Sequence, residues 1–423
     1  MNSTKSVAFH TLGCKLNYSE TSTLSRMMEN EGFEKKEFTD IADVYVINTC
    51  SVTDNADKEC RMLVRRLMKK SPESLVVITG CYAQLKSKEI ADIKGVDLVL
   101  GASEKFNLTH HIKELSKGDS TKISSCDIDN VTGFFSSHSI NDRTRTFLKV
   151  QDGCDYNCSF CTIPLARGKS RSDTIENVVK RVQEIAKTNV KEIVLTGVNL
   201  GDFGKGSTGE DHSETFLELI KELDKINGIE RFRISSIEPN LLTNSIIELV
   251  SNSKKIMPHF HIPLQSGSDK ILGLMRRRYK RELYSNRIKL IKTLMPHCAI
   301  GVDVIVGFPG ETEIEFNETV QFLTNLNISY LHVFTYSERD NTKALEFDEI
   351  VPISVRHERN KILRNLSFSK MSQHTQQHIG QTRKVLFESA NKNKILEGYS
   401  DNYIKVISPY DAAIENTIID WKI

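Results

Sequence analysis

The sequence of 423 residues has no long hydrophobic run. No apolar stretch approaches the roughly 20 residues that a helix needs to cross a bilayer. The opening segment, Met-Asn-Ser-Thr-Lys-Ser-Val-Ala-Phe-His, lacks the apolar core and the cleavage pattern of a secretory signal. We therefore predict a cytoplasmic protein that does not associate with a membrane.

Cysteine and net charge are also scarce. Nine cysteines are too few for a disulfide scaffold in a chain of this length, and their odd number favours metal binding or chemistry over pairing. The formal net charge is only +2, so overall charge gives no argument for nucleic-acid binding. With 39% hydrophobic and 26% charged residues, the composition is that of an ordinary globular protein and excludes disordered or repetitive classes.

Short apolar runs alternate with amphipathic stretches over residues 1–118. Strands are predicted at 6–11, 44–48, 75–79 and 97–100. Helices are predicted at 18–31, 56–70, 84–93 and 106–115. Such alternation is typical of a doubly wound parallel sheet. The sequence then turns polar and loses its period, so residues 119–141 are interpreted as a linker.

A second alternating block covers residues 142–379. Its strand candidates are 147–151, 193–197, 232–236, 260–264, 302–306 and 331–336. Asp173 and Glu176 have capping-box spacing ahead of a helix predicted at 174–185. Because a full barrel has eight β/α units, this block predicts a partial (β/α)6 barrel.

The last segment, residues 380–423, changes pattern again. Short strands with turns and no helix are predicted at 383–388, 395–399 and 403–406. So few residues bury little core of their own, so we expect a small β module that packs on the main body.

Three cysteines share one short loop, Cys154-Asp-Tyr-Asn-Cys158-Ser-Phe-Cys161, directly after the first barrel strand. Loops at that end of barrel strands carry the active residues. Structural zinc takes four ligands, and no fourth Cys or His lies nearby in the sequence. Three thiolates can hold a four-iron cluster and leave one iron open, so iron–sulfur chemistry explains this loop better.

Three further cysteines, Cys14, Cys50 and Cys81, each follow a predicted strand of the first sheet. The carboxyl ends of parallel strands open on one crevice, so these cysteines would converge there. Their pattern leaves two interpretations open, a second three-cysteine cluster site and a set of buried structural thiols. The remaining cysteines are interpreted as structural; they are Cys60, Cys126 and Cys298.

The spacing of the cysteine loop resembles that of the radical S-adenosylmethionine (SAM) enzymes. The resemblance implies that Cys154, Cys158 and Cys161 ligate a [4Fe-4S] cluster whose open iron binds SAM. An electron from that cluster would cleave SAM to a 5′-deoxyadenosyl radical. It also implies that Phe160, the aromatic residue before the last cysteine, lies against the adenine of SAM.

Further SAM contacts are predicted just after the barrel strands. The candidates are Gly197 and Asn199 after the second strand and Ser235 after the third. The alternative is that they are ordinary turn residues. Gln265, after the fourth strand, is a candidate for contact with either SAM or the substrate.

Nearly the whole chain resembles the methylthiotransferases. The motifs that carry this resemblance are Thr11-Leu-Gly-Cys-Lys-Leu-Asn17, Asn48-Thr-Cys-Ser-Val-Thr53, Thr79-Gly-Cys-Tyr-Ala83, Gln151-Asp-Gly-Cys154, Ile163-Pro-Leu-Ala-Arg-Gly168, Ile262-Pro-Leu-Gln-Ser-Gly-Ser268 and Gly307-Phe-Pro-Gly-Glu-Thr312. The resemblance implies that Cys14, Cys50 and Cys81 hold an auxiliary [4Fe-4S] cluster. One SAM would methylate a sulfur on that cluster, and a second SAM would provide the radical that activates the substrate. The tail is similar to a TRAM module, a small RNA-binding β-barrel, but it is shorter, so its last strand is expected to be absent or rearranged.

Within this family, the Cys14 motif resembles most the branch that acts on N6-threonylcarbamoyladenosine at position 37 of tRNA. The residues that carry this are Lys15, Leu16, Asn17 and Glu20, together with the motifs around Cys50 and at His261-Ile-Pro-Leu-Gln265. The implied reaction replaces C2–H of the adenine by a methylthio group. The alternatives are methylthiolation of N6-isopentenyladenosine 37 or of a ribosomal-protein aspartate. A different class is a non-catalytic iron–sulfur protein that binds RNA or senses redox state.

The implied partners are tRNA and an electron donor, with no stable protein partner. Basic residues occur in runs that are compatible with phosphate binding, although such runs are often solvated faces; they are Arg61, Arg65, Arg66, Lys69, Lys70, Arg143, Arg145, Arg276, Arg277, Arg278, Lys280 and Arg281. Tyr399 and Tyr403 are candidates for stacking on bases, with a role in the core as the alternative. Since both clusters must reach one substrate, we predict that the first sheet docks its strand ends over the open mouth of the barrel.

Overall fold

The computed structural model describes residues 4–51, 54–140, 144–206, 214–391 and 393–423. A parallel sheet, a partial barrel and a small antiparallel sheet follow one another along the chain. The predicted α/β fold class, with a doubly wound sheet, a partial barrel and a small β module, is confirmed.

The N-terminal sheet has six parallel strands in the order β2-β1-β3-β4-β5-β6. Its elements are β1 (Ser6–Thr11), α1 (Lys15–Asn30), β2 (Glu34–Lys36), β3 (Val44–Thr49), α2 (Asp54–Lys70), β4 (Leu75–Gly80), α3 (Cys81–Leu85), α4 (Ser87–Ala91), β5 (Leu98–Leu100), α5 (Leu108–Lys113) and β6 (Lys122–Ser124). Alternate residues of β3 pack on opposite faces: Val46 shares an apolar cluster with Leu24 and Met28 of α1, whereas Ile47 shares another with Leu63 and Leu67 of α2. Helices therefore cover both faces of the sheet, which explains why its strands are continuous apolar runs.

The periodicity missed the shortest elements of this region. Strands β2 and β6 each have three residues, too few to show an alternating pattern. Residues 119–141, predicted as a linker, contain β6 and also β7 (Ser137–His138), which pairs with the first barrel strand. The helix predicted at 84–93 is divided into α3 and α4.

The six predicted barrel strands are all present. The elements of this region are β8 (Arg145–Lys149), β9 (Gln151–Asp152), α6 (Ile163–Arg167), β10 (Arg171–Ser172), α7 (Ile175–Ala186), β11 (Glu192–Thr196), α8 (Phe216–Lys225), β12 (Arg231–Ile234), α9 (Asn244–Asn252), β13 (His259–His261), α10 (Asp269–Leu274), α11 (Arg281–Leu294), β14 (Ala299–Val306), α12 (Glu313–Asn325), β15 (Tyr330–Thr335) and α13 (Ile353–Gln376). Strands β8, β11 and β12 pair in parallel, as do β13, β14 and β15, and a parallel bridge between Ser236 and His261 joins the two groups.

The predicted cap of α7 is wrong in detail. Thr174, not Asp173, is the N-cap residue, and its side chain accepts a hydrogen bond from the backbone N–H of Asn177. Asp173 instead accepts from the Asn177 side-chain amide. The extended backbone of Thr174 makes it the capping position, because a cap residue lies just outside the helical region.

The C-terminal module is an antiparallel sheet in the order β18-β17-β16-β19. Its strands are β16 (Thr382–Phe387), β17 (Ile395–Ser400), β18 (Lys405–Pro409) and β19 (Ile418–Lys422). The first three were predicted, whereas β19, which pairs with β16, was not. A fourth strand is therefore present, although its half-buried residues gave no clear alternation in the sequence.

This module covers the end of the barrel at which the strands begin, which we call the floor. Arg231 and Arg233 of β12 donate hydrogen bonds to backbone carbonyls of Lys384 (2.7 Å) and Ser400 (3.3 Å). The guanidinium of Arg145 lies over the ring of Tyr399, at 4.8 Å from its centroid. Tyr403 stacks on His259 of β13 with ring centroids 4.2 Å apart. Tyr399 and Tyr403 thus pack on the floor, which supports their interpretation as core residues.

A buried carboxylate holds the floor together and gives it a pH dependence. Glu192 accepts hydrogen bonds from Arg233 at 2.8 and 3.2 Å. Burial raises the pKa of Glu192, but Arg233, with Arg145 and Arg231, outweighs this and lowers it to about 2. The pKa of Glu192 in the folded protein lies below its unfolded value of about 4.3. Ionised Glu192 therefore stabilises the fold fully above pH ~4.3, and this stabilisation is lost as the pH falls through about 2.

The variant Glu192→Gln is therefore expected to lose about 3 kcal/mol of stability at pH 7. Between pH 4.5 and 2, its thermal midpoint should fall less steeply than that of the wild type. Circular dichroism melts measured across this range test both effects. Glu230→Gln is the matched control, because Glu230 pairs with Lys191 at the surface and has 53% of its side chain exposed. A Glu192→Gln variant that melts like the wild type at every pH would contradict the prediction.

Candidate active site

The cysteine loop follows β8 and β9, where the chain leaves the barrel at the end opposite the floor. Gly153, immediately before Cys154, has φ +68°, and a Cβ there would lie 1.9 Å from the carbonyl oxygen of Lys169. Only glycine has room at this turn, which directs the next residues across the mouth of the barrel. The loop closes with α6, which begins two residues after Cys161.

Hydrogen-bond donors point at all three sulfurs of this loop. The backbone N–H groups of Tyr156 and Ile163 donate to Cys154 Sγ and Cys161 Sγ, each at 3.4 Å, and Arg277 Nη1 donates to Cys158 Sγ at 3.0 Å. Burial raises the pKa of the Cys154 and Cys161 thiols to about 12, so without metal both are protonated at neutral pH. A metal-bound thiolate accepts hydrogen bonds from donors placed in this way, and metal binding would displace the thiol protons. The loop thus fits a cluster held by three thiolates.

Arg277 and Arg278, which belong to a basic run that is compatible with phosphate binding, lie beside the cysteine loop. The Arg277 side chain is only 4% exposed and forms an ion pair with Glu238 beside the cysteine loop. Arg278 lies over the ring of Tyr156 at 4.0 Å and donates to the Asp155 carbonyl at 3.1 Å. Both arginines therefore hold the loop, and Arg277, which is buried and paired, is not free for phosphate, whereas Arg278 is exposed.

The other basic runs divide in the same way. Arg145 pairs with Glu388 at 2.6 Å in the floor, and only 14% of its side chain is exposed, so it is a structural residue. Arg61 pairs with Glu89 at 2.8 Å. Arg65, Arg66, Lys69 and Lys70 are exposed along α2. Arg143 lies outside the described residues.

The second set of cysteines meets at the carboxyl edge of the first sheet. Gly13 has φ +104°, and a Cβ on it would lie 2.6 Å from the Cβ of Cys50 and 3.0 Å from its sulfur. Cys50 is therefore packed against the residue that precedes Cys14. Cys81, the first residue of α3, is buried and has Cys14 among its electrostatic neighbours. The three thiols are free and lie at one crevice, with Cys14 exposed and Cys81 buried, so this set is compatible with a cluster held by three thiolates.

The two cysteine sets face each other across the domain contact. The hydroxyl of Thr162, next to Cys161, donates to the carbonyl of Ser51, next to Cys50, at 3.4 Å. Arg339, which follows β15, donates to the Ser51 hydroxyl at 2.6 Å. Helix α3, which begins with Cys81, packs on α6. The predicted docking of the sheet over the mouth of the barrel is confirmed.

Buried charges fix this contact. Arg167 at the end of α6 donates to Asn17 Oδ1 at 2.6 Å, to Asp152 Oδ1 at 2.8 Å and to Glu20 Oε1 at 3.2 Å. Lys149 bridges the same two carboxylates, at 3.1 Å from Glu20 and 3.2 Å from Asp152. Burial raises the pKa of Glu20, but Arg167 and the neighbouring lysines outweigh it and hold this pKa well below its usual range.

A cavity of about 230 Å³ opens beside Cys161. Its walls include Phe160, Gln265, Asp303 and Phe334. Phe160 meets Phe308 edge-on, with ring centroids 6.3 Å apart. Phe160 therefore presents an aromatic wall at the position that the sequence predicted for a SAM contact, and Gln265 lines the same space.

Two of the other predicted SAM contacts, Asn199 and Ser235, carry buried polar atoms that have no partner among the described residues. Asn199 Nδ2 and Ser235 Oγ are buried and have no hydrogen-bond partner within the described ranges. The backbone N–H of Asn199 donates to Gln151 Oε1 at 2.9 Å, and a Cβ on Gly197 would lie 2.9 Å from the same oxygen. Because buried polar atoms are normally paired, these two are available to a polar ligand. Among the described residues, no helix combines the length and apolar character needed to cross a membrane.

Comparison with known proteins agrees with this geometry. Residues 6–101 match the model of the Uncharacterized protein family UPF0004, and residues 148–323 match that of the Radical SAM superfamily. The fold is similar to that of the radical SAM methyltransferase TsrM from Kitasatospora setae, with a TM-score of 0.53 and 13% identity over 78% of this chain and 73% of that one. Fold and site together define a radical SAM protein with a second cysteine crevice.

Relatives in sequence narrow this class. The threonylcarbamoyladenosine tRNA methylthiotransferase MtaB of Bacillus subtilis is 40% identical over 95% of this chain and 90% of its own length. MtaB of Aquifex aeolicus is 39% identical over 95% of this chain and 96% of its own. The tRNA-2-methylthio-N6-dimethylallyladenosine synthase of Clostridium botulinum is 32% identical over 90% of this chain and 86% of its own. The chain belongs to the tRNA methylthiotransferase family.

Proposed function

We propose that this protein transfers a methylthio group to C2 of N6-threonylcarbamoyladenosine at position 37 of tRNA, using SAM and two [4Fe-4S] clusters. The observation that carries the proposal is the contact between Thr162 and Ser51, which places the neighbours of Cys161 and Cys50 against each other. One substrate atom can then be reached from both cysteine sets. The similarity to MtaB proteins, at 40% and 39% identity, supports the threonylcarbamoyl substrate.

Each cysteine set has its own role in this proposal. Cys154, Cys158 and Cys161 would hold the cluster that binds SAM, and Cys14, Cys50 and Cys81 would hold the auxiliary cluster. When bound, these groups supply the electron that cleaves SAM and the sulfur that is transferred. The C2–H bond of adenine is not acidic enough for ordinary base catalysis, so a radical route suits it.

The surrounding residues position and enclose the reactants. Arg277 donates to Cys158 Sγ and orients that sulfur, while Phe160 provides the wall on which an adenine can lie. Asn199 and Ser235 offer their unpaired polar atoms to SAM, and the backbone at Gly197 leaves space for it. The sheet docked over the barrel mouth keeps bulk water away from the radical.

The RNA must approach the exposed side of this contact. The exposed basic residues of α2 lie in the last turns of that helix, away from the crevice of Cys50 and Cys81, and would supply charge for a more distant part of the tRNA backbone. The C-terminal sheet, which we interpret as TRAM-like, offers a second RNA-binding surface. An electron donor and a cytoplasmic location complete the proposal. The proposed domain limits are 1–118, 119–141, 142–379 and 380–423, with β6 and β7 inside the connecting segment 119–141.

An anaerobic assay tests the function. The full chain, reconstituted with iron and sulfide, is incubated with SAM, a reductant and tRNA carrying either the threonylcarbamoyl or the isopentenyl nucleoside, and nucleosides are analysed by mass spectrometry. We expect the methylthio product only from the threonylcarbamoyl nucleoside. A product only from the isopentenyl nucleoside would show that the protein methylthiolates N6-isopentenyladenosine 37 instead. Absence of SAM cleavage would favour the non-catalytic alternative.

A further inference from the structure

Lys15 stands at a position where a cation has no obvious structural task. It follows Cys14 directly and is the first residue of α1. Its charged neighbours include Arg145, Arg233 and Asp303, which belong to β8, β12 and β14 of the barrel. Its side chain is accessible to solvent. Because its neighbours come from three barrel strands, the ammonium group lies toward the lumen of the barrel and not on the outer surface of the sheet.

The charged groups around Lys15 are already paired with other residues. Arg145 pairs with Glu388 at 2.6 Å, and Arg233 pairs with Glu192 at 2.8 Å. Asp303 accepts from His261 at 2.8 Å and lies 3.4 Å from His332. Lys15 itself makes no hydrogen bond or ion pair with the residues that the structure describes. An ammonium group that is accessible and has no counter-ion can pair with an incoming anion, and a hydrogen bond between charged groups is a strong one.

Two neighbours of Lys15, Asp303 and Cys14, connect it to the two cysteine sets. Asp303 is a neighbour of Lys15 and at the same time lines the cavity beside Cys161. In the sequence, Lys15 directly follows Cys14, a member of the other cysteine set. A base that is reached from both sets must therefore lie close to the Lys15 ammonium group.

The proposed substrate carries a suitable anion. In N6-threonylcarbamoyladenosine the N6 substituent ends in the carboxylate of threonine, whereas an isopentenyl group is apolar. C6, which carries N6, and C2, the reacting carbon, both flank N1 of the ring, so the substituent stays near the reaction site. We infer that Lys15 binds the threonyl carboxylate and selects this substrate; the inference rests on the proposed function.

The test changes both partners of this contact. The full-length reconstituted protein is titrated anaerobically with labelled anticodon stem-loops that carry threonylcarbamoyladenosine 37, its carboxyl methyl ester, or unmodified adenosine 37. We expect the wild type to bind the acid about 10- to 100-fold more tightly than the ester, the range for a hydrogen bond between charged groups. Lys15→Gln should bind acid and ester equally, while Lys15→Arg should keep part of the preference. Lys221→Gln, an exposed lysine on α8, is the control and should behave like the wild type.

Two measurements separate this contact from its alternatives. Iron content and electron paramagnetic resonance spectra show whether Lys15→Gln still carries both clusters. If it does not, the inference is tested by the wild type alone, through the ratio of its affinities for the acid and the ester. Equal binding of acid and ester by the wild type would overturn the inference. So would an equal loss of affinity for all three stem-loops in Lys15→Gln, because that would indicate a phosphate contact. If the wild type methylthiolates the threonylcarbamoyl nucleoside but binds the acid and its methyl ester with equal affinity, the inference fails while the proposed function stands.

Discussion

Changing Cys158 to alanine is expected to lower the rates of SAM cleavage and of methylthiolation together, each by at least roughly 1000-fold. Loss of an essential catalytic group has effects of this size. Changing Cys50 to alanine should abolish methylthiolation to the same extent but leave SAM cleavage in place. The reason is the division of the cysteines into two crevices, which contact each other through neighbouring residues such as Thr162 and Ser51. With three thiolates to a cluster, neither set has a spare ligand.

Two products distinguish the variants. 5′-Deoxyadenosine reports SAM cleavage, and the methylthiolated nucleoside reports the complete reaction. Iron content should fall in each variant by about four atoms per chain. Cys126→Ala is the matched control, because Cys126 donates to the Ser103 hydroxyl at 3.3 Å and belongs to neither set. If Cys50→Ala lost SAM cleavage as completely as Cys158→Ala, the two crevices would not have separate roles.

The sequence allowed the cysteine sets to be predicted because their geometry is set locally. Cys154, Cys158 and Cys161 share one loop, and the other three follow parallel strands whose carboxyl ends meet at one edge. The strand order of an α/β sheet converts such positions into proximity without any knowledge of distant contacts. For the same reason, the barrel strands and their buried faces were predictable from apolar runs alone.

Contacts between distant residues could not be predicted in this way. Arg277 reaches Cys158 across 119 positions of the chain, and nothing in a run of basic residues tells a buried arginine from an exposed one. The burial of Arg145 was unpredictable for the same reason, since its partner Glu388 belongs to the C-terminal module, 243 positions away. Charge runs describe composition, whereas burial of a charge depends on the partner that the fold brings to it.

The interface between the sheet and the barrel leads to the second large effect. Arg167 is almost fully buried and joins Glu20 and Asn17 of α1 to Asp152 next to the cysteine loop. Changing Arg167 to methionine keeps much of the side-chain volume but leaves these groups without their shared donor. Removal of one partner from a buried ion pair costs about 3–5 kcal/mol. Since Glu20 keeps Lys149 at 3.1 Å and Lys105 at 2.8 Å, we expect the lower end of this range, about 3 kcal/mol, for Arg167→Met.

This cost should appear at the contact between the domains before it appears in either domain alone. Arg167 joins the cysteine loop to α1, so its loss should let the two cysteine sets move apart. Methylthiolation by Arg167→Met is therefore expected to fall much further than SAM cleavage, and the first thermal transition should move down by several degrees. Arg181→Met is the matched control, because Arg181 pairs with Glu184 at 2.6 Å on the surface and the two side chains are 40% and 44% exposed. Such an exposed pair contributes less than about 1 kcal/mol. If Arg167→Met were as stable and active as Arg181→Met, the charges buried under the sheet would have no part in bringing the two cysteine sets together.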